Sequence, residues 1–295
     1  MIIEIKNHVC SAKIDSLGAQ LISFKDEYNT EYIWQRNPDV WSSCSPILFP
    51  IVGNCRDNKT IIDGTTYEIP KHGPCRTTEF HIKEQSETSV TFSMTNTDIP
   101  ASMYPYQFEL LVSYTLKEKT LDFTVTVHNK DTKQIAYCLG LHPAINCPLY
   151  EGESFEDYVL RFPEPQLHGY RKYDLEALQF DKNTECPFPA DDGKNIPLTH
   201  DLFKEDALWF DRPTSHEVSV INPKTNKGVF ATYHDFDTIA FWTKYHKQAT
   251  YVCIEPWNGS AACSDEDNEF LHKNHIQLLK EQEQKSYSLT LTILN

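Results

Sequence analysis

Apolar and polar residues alternate along much of the chain. In one clear run, Leu121, Phe123, Val125 and Val127 are each separated by a polar residue. Successive side chains of a β-strand point to opposite faces, so such a run predicts a strand with one buried face. Three further runs show the same alternation: Val90 to Met94, Phe108 to Leu116 and Tyr287 to Ile293.

Residues that favour turns separate these runs, at Asp63-Gly64, Asn129 to Asp131 and Asn222 to Asn226. Helical periodicity is weak, and it predicts only short helices near Leu175–Leu178 and over Leu271–Leu279. No repeat of fixed period is found, which argues against a propeller or a solenoid. The pattern therefore predicts an all-β fold, a large sandwich of mainly antiparallel strands with few short helices.

The stretch from Pro163 to Pro197 interrupts the alternation, with five prolines and the turn sequence Asp191-Asp192-Gly193. It is either a linker between two domains or a long excursion within one. Composition does not change across it, and alternating runs resume afterwards. We therefore predict a single domain over residues 1–295.

The formal net charge of −15 argues against nucleic acid and anionic membranes as partners, because both repel such a surface. The nine cysteines are odd in number and irregularly spaced, which favours reduced thiols over a secreted disulfide framework. The first residues, Met1 to Lys6, do not resemble a signal peptide, and no apolar run approaches the ~20 residues of a membrane helix. We expect a cytoplasmic protein, monomeric or homodimeric.

Two polar residues stand at the ends of apolar runs, each directly before a proline. His142-Pro143 follows Leu139-Gly140-Leu141, and Glu255-Pro256 follows Tyr251 to Ile254. A core histidine and a structural ion pair are the ordinary interpretations of such residues. Proline is expected to end each strand, however, and strand ends lie at the rim of a sheet, where sites are built. Trp257, beside Glu255, is either a core residue or a platform for a sugar ring.

Two loops hold further candidates. Lys71 to Arg76 contains His72 beside a flexible glycine, and Asp206 precedes the apolar run Ala207 to Phe210. An ordinary loop and a solvated turn residue are the alternatives.

Metal and cofactor motifs are incomplete or missing. His72-x-x-Cys75, Cys138-x3-His142-x4-Cys147 and His272-x-x-His275 are each only part of a ligand set, so no metal is expected. There is no phosphate-binding glycine loop, nucleophile elbow or dinucleotide fingerprint in the sequence. We expect no cofactor.

Five segments, in this order, resemble the aldose 1-epimerase (galactose mutarotase) family, and in particular a divergent branch of it. The resemblance runs through nearly the whole chain and implies a β-supersandwich fold, with an active site in an open cleft and a cofactor-independent isomerase activity. The segments are Ser45 to Gly53, His72-Gly73-x-x-Arg76, Gly140 to Ala144, Glu205 to Leu208 and Cys253 to Trp257.

The resemblance also implies roles for individual residues. Glu255 matches the family's base and His142 its acid, while His72 matches a second histidine that helps to hold the sugar. Asp206 matches an aspartate that binds a ring hydroxyl. Arg76 and Trp257 are further candidates for substrate binding.

The chain departs from the family pattern at two places. The family has an Asn-Arg or Gly-Arg pair ahead of a small hairpin, where this chain reads Gly53-Asn54-Cys55-Arg56. Counting back from the hairpin turn places Asn54 at the arginine position, while Arg56 remains a candidate for sugar binding. Pro74-Cys75 also replaces the aromatic-alanine pair usual in this branch.

The residue types suit the chemistry. Anomers interconvert when the C1 hydroxyl loses a proton, the ring oxygen gains one, and the C1–O5 bond opens and recloses. This takes one base and one acid, which we expect on opposite sides of the sugar, and no metal or nucleotide. Ordinary pKa values of about 4.3 for glutamate and about 6.5 for histidine suit Glu255 and His142 without large shifts.

Two alternatives stay open. A sugar-binding protein or sensor could have the same cleft without turnover, although binding alone would not require both Glu255 and His142. The expected substrate is a free hexose, because Arg76 is the only arginine firmly placed near the site and the overall charge opposes a dianion. A hexose 6-phosphate is the alternative, with Lys71 and Lys244 as additional nearby cations.

Overall fold

The computed structural model describes residues 1–245 and 249–295, and it shows an almost entirely β protein. Within these residues the strands in the first half of the chain are β1 (Ile2–Lys6), β2 (Cys10–Asp15), β3 (Gln20–Asp26), β4 (Ile47–Leu48), β5 (Lys59–Ile62), β6 (Thr65–Glu68), β7 (His81–Gln85), β8 (Ser89–Thr95), β9 (Phe108–Lys117), β10 (Thr120–Asn129), β11 (Ile135–Tyr137) and β12 (Leu139–Leu141).

The strands of the second half are β13 (Ala144–Asn146), β14 (Val159–Arg161), β15 (Tyr170–Asp174), β16 (Gln179–Cys186), β17 (Asn195–Pro197), β18 (Leu208–Phe210), β19 (Glu217–Asn222), β20 (Lys227–His234), β21 (Thr238–Trp242), β22 (Tyr251–Asn258), β23 (Gln277–Leu279) and β24 (Gln284–Leu294). Short 3₁₀ segments lie between them, among them Arg56–Asn58, Cys75–Thr77, Asn96–Asp98, Phe155–Asp157, His200–Phe203 and Phe270–His272.

The four alternating runs of the sequence are neighbouring strands of one nine-stranded sheet. Its order is β17-β14-β19-β20-β24-β10-β9-β8-β7, and its strand pairs are all antiparallel. On β10, Val125 pairs with Val112 of β9 and with Tyr287 of β24, so the apolar residues of three strands share one face. The predicted antiparallel all-β fold is confirmed.

An eight-stranded sheet faces the first. Its order is β16-β15-β18-β21-β22-β12-β4, with β13 also paired to β22. Aromatic rings join the two sheets: the Phe49 ring, just beyond β4, lies 5.0 Å from that of Phe108, and Phe162 lies 5.9 Å from Phe241. The smaller sheet β1–β3 is tied to β9 through the Tyr114 hydroxyl, which donates to the Ala19 carbonyl at 2.7 Å.

Both predicted helices are wrong. Leu175 and Leu178 lie in the turn of the β15–β16 hairpin and are exposed, so no buried face stabilises a helix there. The segment Leu271–Leu279 contains the end of one 3₁₀ turn and then β23, where Leu279 pairs with Ile135 of β11. The proline-rich stretch supplies β15 and β16 to the eight-stranded sheet and β17 to the nine-stranded one.

No helix in the two described ranges is both long and apolar enough to span a membrane. All nine cysteines are free thiols, and all but Cys186 are buried.

Candidate active site

A cleft of about 220 Å³ opens on the outer face of the eight-stranded sheet. The inner face of this sheet belongs to the main core, whereas a smaller apolar cluster that includes Trp209 and Ala240 packs beneath the cleft. Strand residues form the floor, namely Tyr173, Phe180, Trp242, Glu255 and Trp257. Loops supply the remaining lining: Trp41, Pro46, Gly53, Asn54, Lys71, His72, Arg76, His142, Asp206, Ala207, Lys244 and Ala261.

Glu255 lies in the middle of β22, since the strand continues through Pro256 to Asn258. The prediction that Pro256 ends the strand is therefore wrong. On one side of β22, β12 and β13 pair with its two halves and leave a gap between them. The Ile254 N–H donates to the Pro143 carbonyl at 3.0 Å on that side. Because backbone groups alternate along a strand, Pro256 faces the gap too, where no ladder hydrogen bond is lost.

His142 occupies the gap itself. As predicted, it follows the end of β12, and Pro143 separates it from β13. Its Nε2 lies 3.0 Å from Oε2 of Glu255, and both side chains are buried. The expectation that acid and base stand on opposite sides of a sugar is not met, because β12, β13 and β22 are direct neighbours and bring the two groups into contact.

Burial shifts the two groups strongly in opposite directions. Loss of hydration disfavours a charge on either group, and it raises the pKa of Glu255 well above its usual range, with the charge of Asp206 adding to the effect. Burial likewise lowers the pKa of His142 to about 3, and the nearby cations Lys71 and Arg76 lower it further. The expectation of nearly ordinary pKa values is therefore wrong. Because the two groups are 3.0 Å apart, the protonation of each depends on that of the other.

His72 approaches His142 edge to face, with the ring centroids 5.9 Å apart. The Gly53 N–H donates to its Nδ1 at 3.1 Å, so the neutral ring carries its proton on Nε2. Burial lowers the pKa of His72 well below its usual value, which favours that neutral form. The next residue, Gly73, has a φ of +73°, and a Cβ there would lie 1.9 Å from the Phe49 carbonyl oxygen, so the loop requires glycine.

Three further predicted residues line the same cleft. Asp206 lies two residues before β18, has a φ of 73°, and accepts a hydrogen bond on Oδ1 from the Ala207 N–H at 2.8 Å. Arg76 is half-buried in the 3₁₀ turn after His72. Trp257 projects from the same face of β22 as Glu255 and is only 4% exposed, so it presents little ring area. Its indole N–H has no hydrogen-bond partner in the described residues, yet it is close enough to Glu255 to favour the carboxylate.

Arg56 does not line the cleft. Its Nη2 donates to the Cys263 carbonyl at 3.0 Å, and it lines a separate surface depression. Asn54 lies in the cleft instead, where its Nδ2 donates to the Leu178 carbonyl at 3.0 Å and its Oδ1 accepts from the Tyr173 hydroxyl at 3.2 Å. The structure does not bring Arg56 to the cleft, because the chain turns into a 3₁₀ segment at Arg56 and carries its side chain away.

Two aromatic residues of the cleft were not found from the sequence. Trp41 lies with its ring centroid 5.2 Å from that of His142 and 5.3 Å from that of Trp242. Trp242 ends β21, and its ring lies 5.8 Å from His142. A tryptophan at the last residue of a strand was the available signal for Trp242. Trp41 lies outside the strands, so no periodic pattern could place it.

One group of three possible metal ligands comes together in the described residues. None of the three partial motifs predicted from the sequence contains all of its members. His142 and Glu255 lie with Cys253 so that one donor atom from each falls within 4.8 Å of the others. Imidazole, thiolate and carboxylate could hold zinc. The Cys253 side chain is wholly buried and does not line the cleft, and the other two donors already contact each other.

Comparison with known proteins agrees with this geometry. The aldose 1-epimerase family model matches residues 1–292. Protein LacX of Lactococcus lactis subsp. lactis is 36% identical over 301 aligned positions, covering 100% of both chains. A galactose mutarotase related enzyme from Lactobacillus acidophilus superposes with a TM-score of 0.93 at 30% identity, covering 100% of this chain and 98% of that one.

A galactose mutarotase-like protein from Lactobacillus casei ATCC 334 has a TM-score of 0.91 at 26% identity, with 100% of both chains covered. These likenesses confirm the predicted galactose mutarotase-like β-supersandwich. The chain belongs to the aldose 1-epimerase family.

Proposed function

We propose that this protein is a cofactor-independent isomerase that interconverts the α and β anomers of a hexose, with Glu255 as base and His142 as acid. The observation that carries the proposal is the buried contact of 3.0 Å between these two side chains on the floor of the cleft. An acid and a base that share one proton are ready to exchange roles with a substrate in either direction.

The closeness of the pair suits the reaction better than the opposed arrangement expected from the sequence. The two sugar oxygens that exchange protons, O1 and O5, are both bonded to C1, so the groups that serve them must lie within a few ångströms of each other. With a sugar bound, a Glu255 oxygen takes the O1 proton while the Nε2–H of His142 protonates O5. The C1–O5 bond breaks as the C1=O1 bond forms.

Rotation about C1–C2 then presents the other face of the aldehyde to O5. Ring closure reverses the proton movements: O5 attacks C1 and returns its proton to His142, and O1 regains a proton from Glu255. No net proton, electron or group is transferred, so the pair ends as it began.

The surrounding groups are suited to positioning the ring. His72 presents an Nε2–H donor, and the second carboxylate oxygen of Asp206 is available to a hydroxyl, since Oδ1 is engaged by its own loop. Trp41 and Trp242 enclose the His142 ring and exclude water from it. The sequence-based expectation is a free hexose, and the reaction at C1 is the same whether or not a distant carbon is phosphorylated.

A non-catalytic sugar-binding protein is the second candidate, and the burial of the pair argues against it. Burying a carboxyl group and an imidazole in contact costs several kcal/mol that binding does not require. Such an arrangement is typical of a site that uses both groups.

Polarimetry tests the proposal. Fresh α-D-glucose and α-D-galactose, each with and without the protein at pH 7, should mutarotate measurably faster in its presence. Binding of either sugar with rates equal to the uncatalysed ones would instead support a binding protein or sensor.

A further inference from the structure

Arg76 stands apart from the other arginines of the chain. Arg36, Arg56, Arg161, Arg171 and Arg212 each donate to a carboxylate, an amide oxygen or a carbonyl. Within the described residues, Arg76 alone has no hydrogen bond or ion pair, although it is half-buried and lines the cleft. A partly desolvated guanidinium without a partner is an open site for an anion, since its planar fork matches two acceptor oxygens.

Two exposed lysines, Lys71 and Lys244, also line the cleft, and the described parts of the chain offer neither side chain an ion-pair or hydrogen-bond partner. The carboxyl groups that face the same space are Asp206 and Glu255, and burial favours the neutral form of Glu255. The cleft is therefore locally positive in a protein of net charge −15.

We propose that the substrate is an aldose that bears an anionic group on C6, with Arg76 binding that group and Lys71 and Lys244 completing its site. This inference rests on the proposed mutarotase function. The expectation of a neutral hexose came from the charge of the whole chain, whereas short-range selection depends on the charges that line the cleft.

The position of the anion follows from the ring chemistry. His142 serves O5, and the ring carbon on the far side of O5 from C1 is C5, which carries C6. A substituent on C6 therefore extends from the side of the ring that His142 contacts. The His72 ring lies 5.9 Å from that of His142, and Lys71 and Arg76 flank His72 in the same loop.

Two kinds of sugar meet this description, a hexose 6-phosphate and a hexuronate. A phosphate carries close to two charges at neutral pH and offers three oxygens, whereas a C6 carboxylate carries one charge and offers two. Three cations suit the phosphate better, so the 6-phosphate should be preferred over the uronate.

The first experiment compares turnover. We expect kcat/KM for α-glucose 6-phosphate or α-galactose 6-phosphate to exceed that for the matching free hexose at least tenfold, with the uronate between them. The ratio of kcat/KM for the 6-phosphate to kcat/KM for the free hexose should fall at least tenfold in Arg76→Ala and recover in part in Arg76→Lys. It should also decrease at high ionic strength. Arg161→Ala removes one arginine charge outside the cleft and should leave the ratio unchanged.

Equal or greater kcat/KM for the free hexose in the unmodified protein, or a ratio unaffected by Arg76→Ala, would overturn the inference while leaving the mutarotase proposal standing.

A second experiment measures binding without turnover. 1,5-Anhydroglucitol has no C1 hydroxyl and cannot mutarotate, so its affinity and that of its 6-phosphate can be compared by calorimetry. At least tenfold tighter binding of the phosphate, lost in Arg76→Ala, is expected. That result with no turnover of any sugar would contradict the mutarotase proposal and leave the anion site intact; equal affinities would refute the anion site.

Discussion

Two His–Glu pairs occupy the two large sheets, and they behave in opposite ways. In the nine-stranded sheet, Nδ1 of His128 lies 3.9 Å from Oε2 of Glu109, and the side chains are 22% and 17% exposed. In the eight-stranded sheet, His142 and Glu255 are 3.0 Å apart and 8% and 2% exposed. A hydrogen bond from Lys83 lowers the pKa of Glu109, whereas burial raises that of Glu255. The same residue types thus give a partly exposed pair in one sheet and a buried pair in direct contact in the other.

The strands that carry the two pairs explain the difference. β9 alternates buried and half-buried residues, because one face of its sheet meets the core and the other meets solvent. All eight residues of β22 are buried, because loops cover its outer face as well. A carboxyl group on β9 therefore remains hydrated, while one on β22 loses its water.

The largest expected effect is on kcat, which should depend on the His142–Glu255 pair and not on the His128–Glu109 pair. His142→Asn and Glu255→Gln should each lower mutarotase kcat by at least ~10²-fold, because each removes one proton-transfer group. The matched variants His128→Asn and Glu109→Gln should leave kcat within about twofold. Circular dichroism would establish that all four fold. Near-normal turnover in either variant of the buried pair would remove that residue from the mechanism.

The pH profile should show the shifted pKa values. The pair holds one proton from about pH 3, where His142 takes up a second, to the raised pKa of Glu255. We expect kcat to stay level between about pH 6.5 and pH 5, as long as the protein remains folded. A fall in kcat on the acid side with an apparent pKa near 6.5 would mean that His142 titrates as an ordinary histidine.

Trp41 is expected to matter through its contact with the His142 ring, 5.2 Å away between centroids. Trp41→Ala opens this ring to water and should lower kcat/KM about tenfold, by roughly the 0.5–1.5 kcal/mol of an aromatic contact or slightly more. Trp41→Phe should recover most of the loss. If kcat/KM were the same in Trp41→Ala and in the unmodified protein, the contact between Trp41 and His142 would not be needed for activity.

Replacing each of the two glutamates by glutamine should change the free energy of unfolding of the protein in opposite directions. The unfolded Glu255 ionises near pH 4.3 while the folded one stays neutral, so stability is lost as pH rises from there toward the folded pKa. Glu255→Gln removes this loss and should raise the free energy of unfolding at pH 7.5 by ~1 kcal/mol or more.

Glu109 has a lowered pKa, so its contribution is present above its unfolded pKa and is lost as pH falls through the folded one. Glu109→Gln should cost up to ~1 kcal/mol at pH 7.5. The free energies of unfolding of Glu255→Gln, Glu109→Gln and the unmodified protein can be compared by urea unfolding at pH 7.5 and pH 4.5. Destabilisation of Glu255→Gln at both pH values would mean that its carboxyl group is stabilised as an anion.

The smallest effect is expected at Arg56. Its side chain bonds outside the cleft, so Arg56→Ala should leave kcat/KM within about twofold. Asn54→Ala should lower kcat/KM several-fold, because Asn54 connects the cleft to the β15–β16 hairpin. A loss of ~1–3 kcal/mol of transition-state stabilisation in Arg56→Ala would restore it to the site.

The sequence predicts four neighbouring strands of the nine-stranded sheet, β8, β9, β10 and β24, because each has one solvent-exposed face and the alternation of polar and apolar residues reveals it. It predicts Glu255 and His142 as polar residues within apolar runs, but not their contact. That contact depends on β12, β13 and β22 being neighbours, which no local pattern encodes. The displacement of Arg56 and the position of Trp41 are set by irregular loops, where periodicity carries no information.

One set of rates tests most directly whether His142 and Glu255 act as a single unit. Exchange between anomers, followed by NMR at pH 7, can be measured for the unmodified protein, His142→Asn, Glu255→Gln and the double variant. A shared proton predicts that each single change removes nearly all catalysis, so the double variant should be no slower than the singles. Independent, multiplying losses, or substantial exchange in either single variant, would contradict the proton-sharing pair.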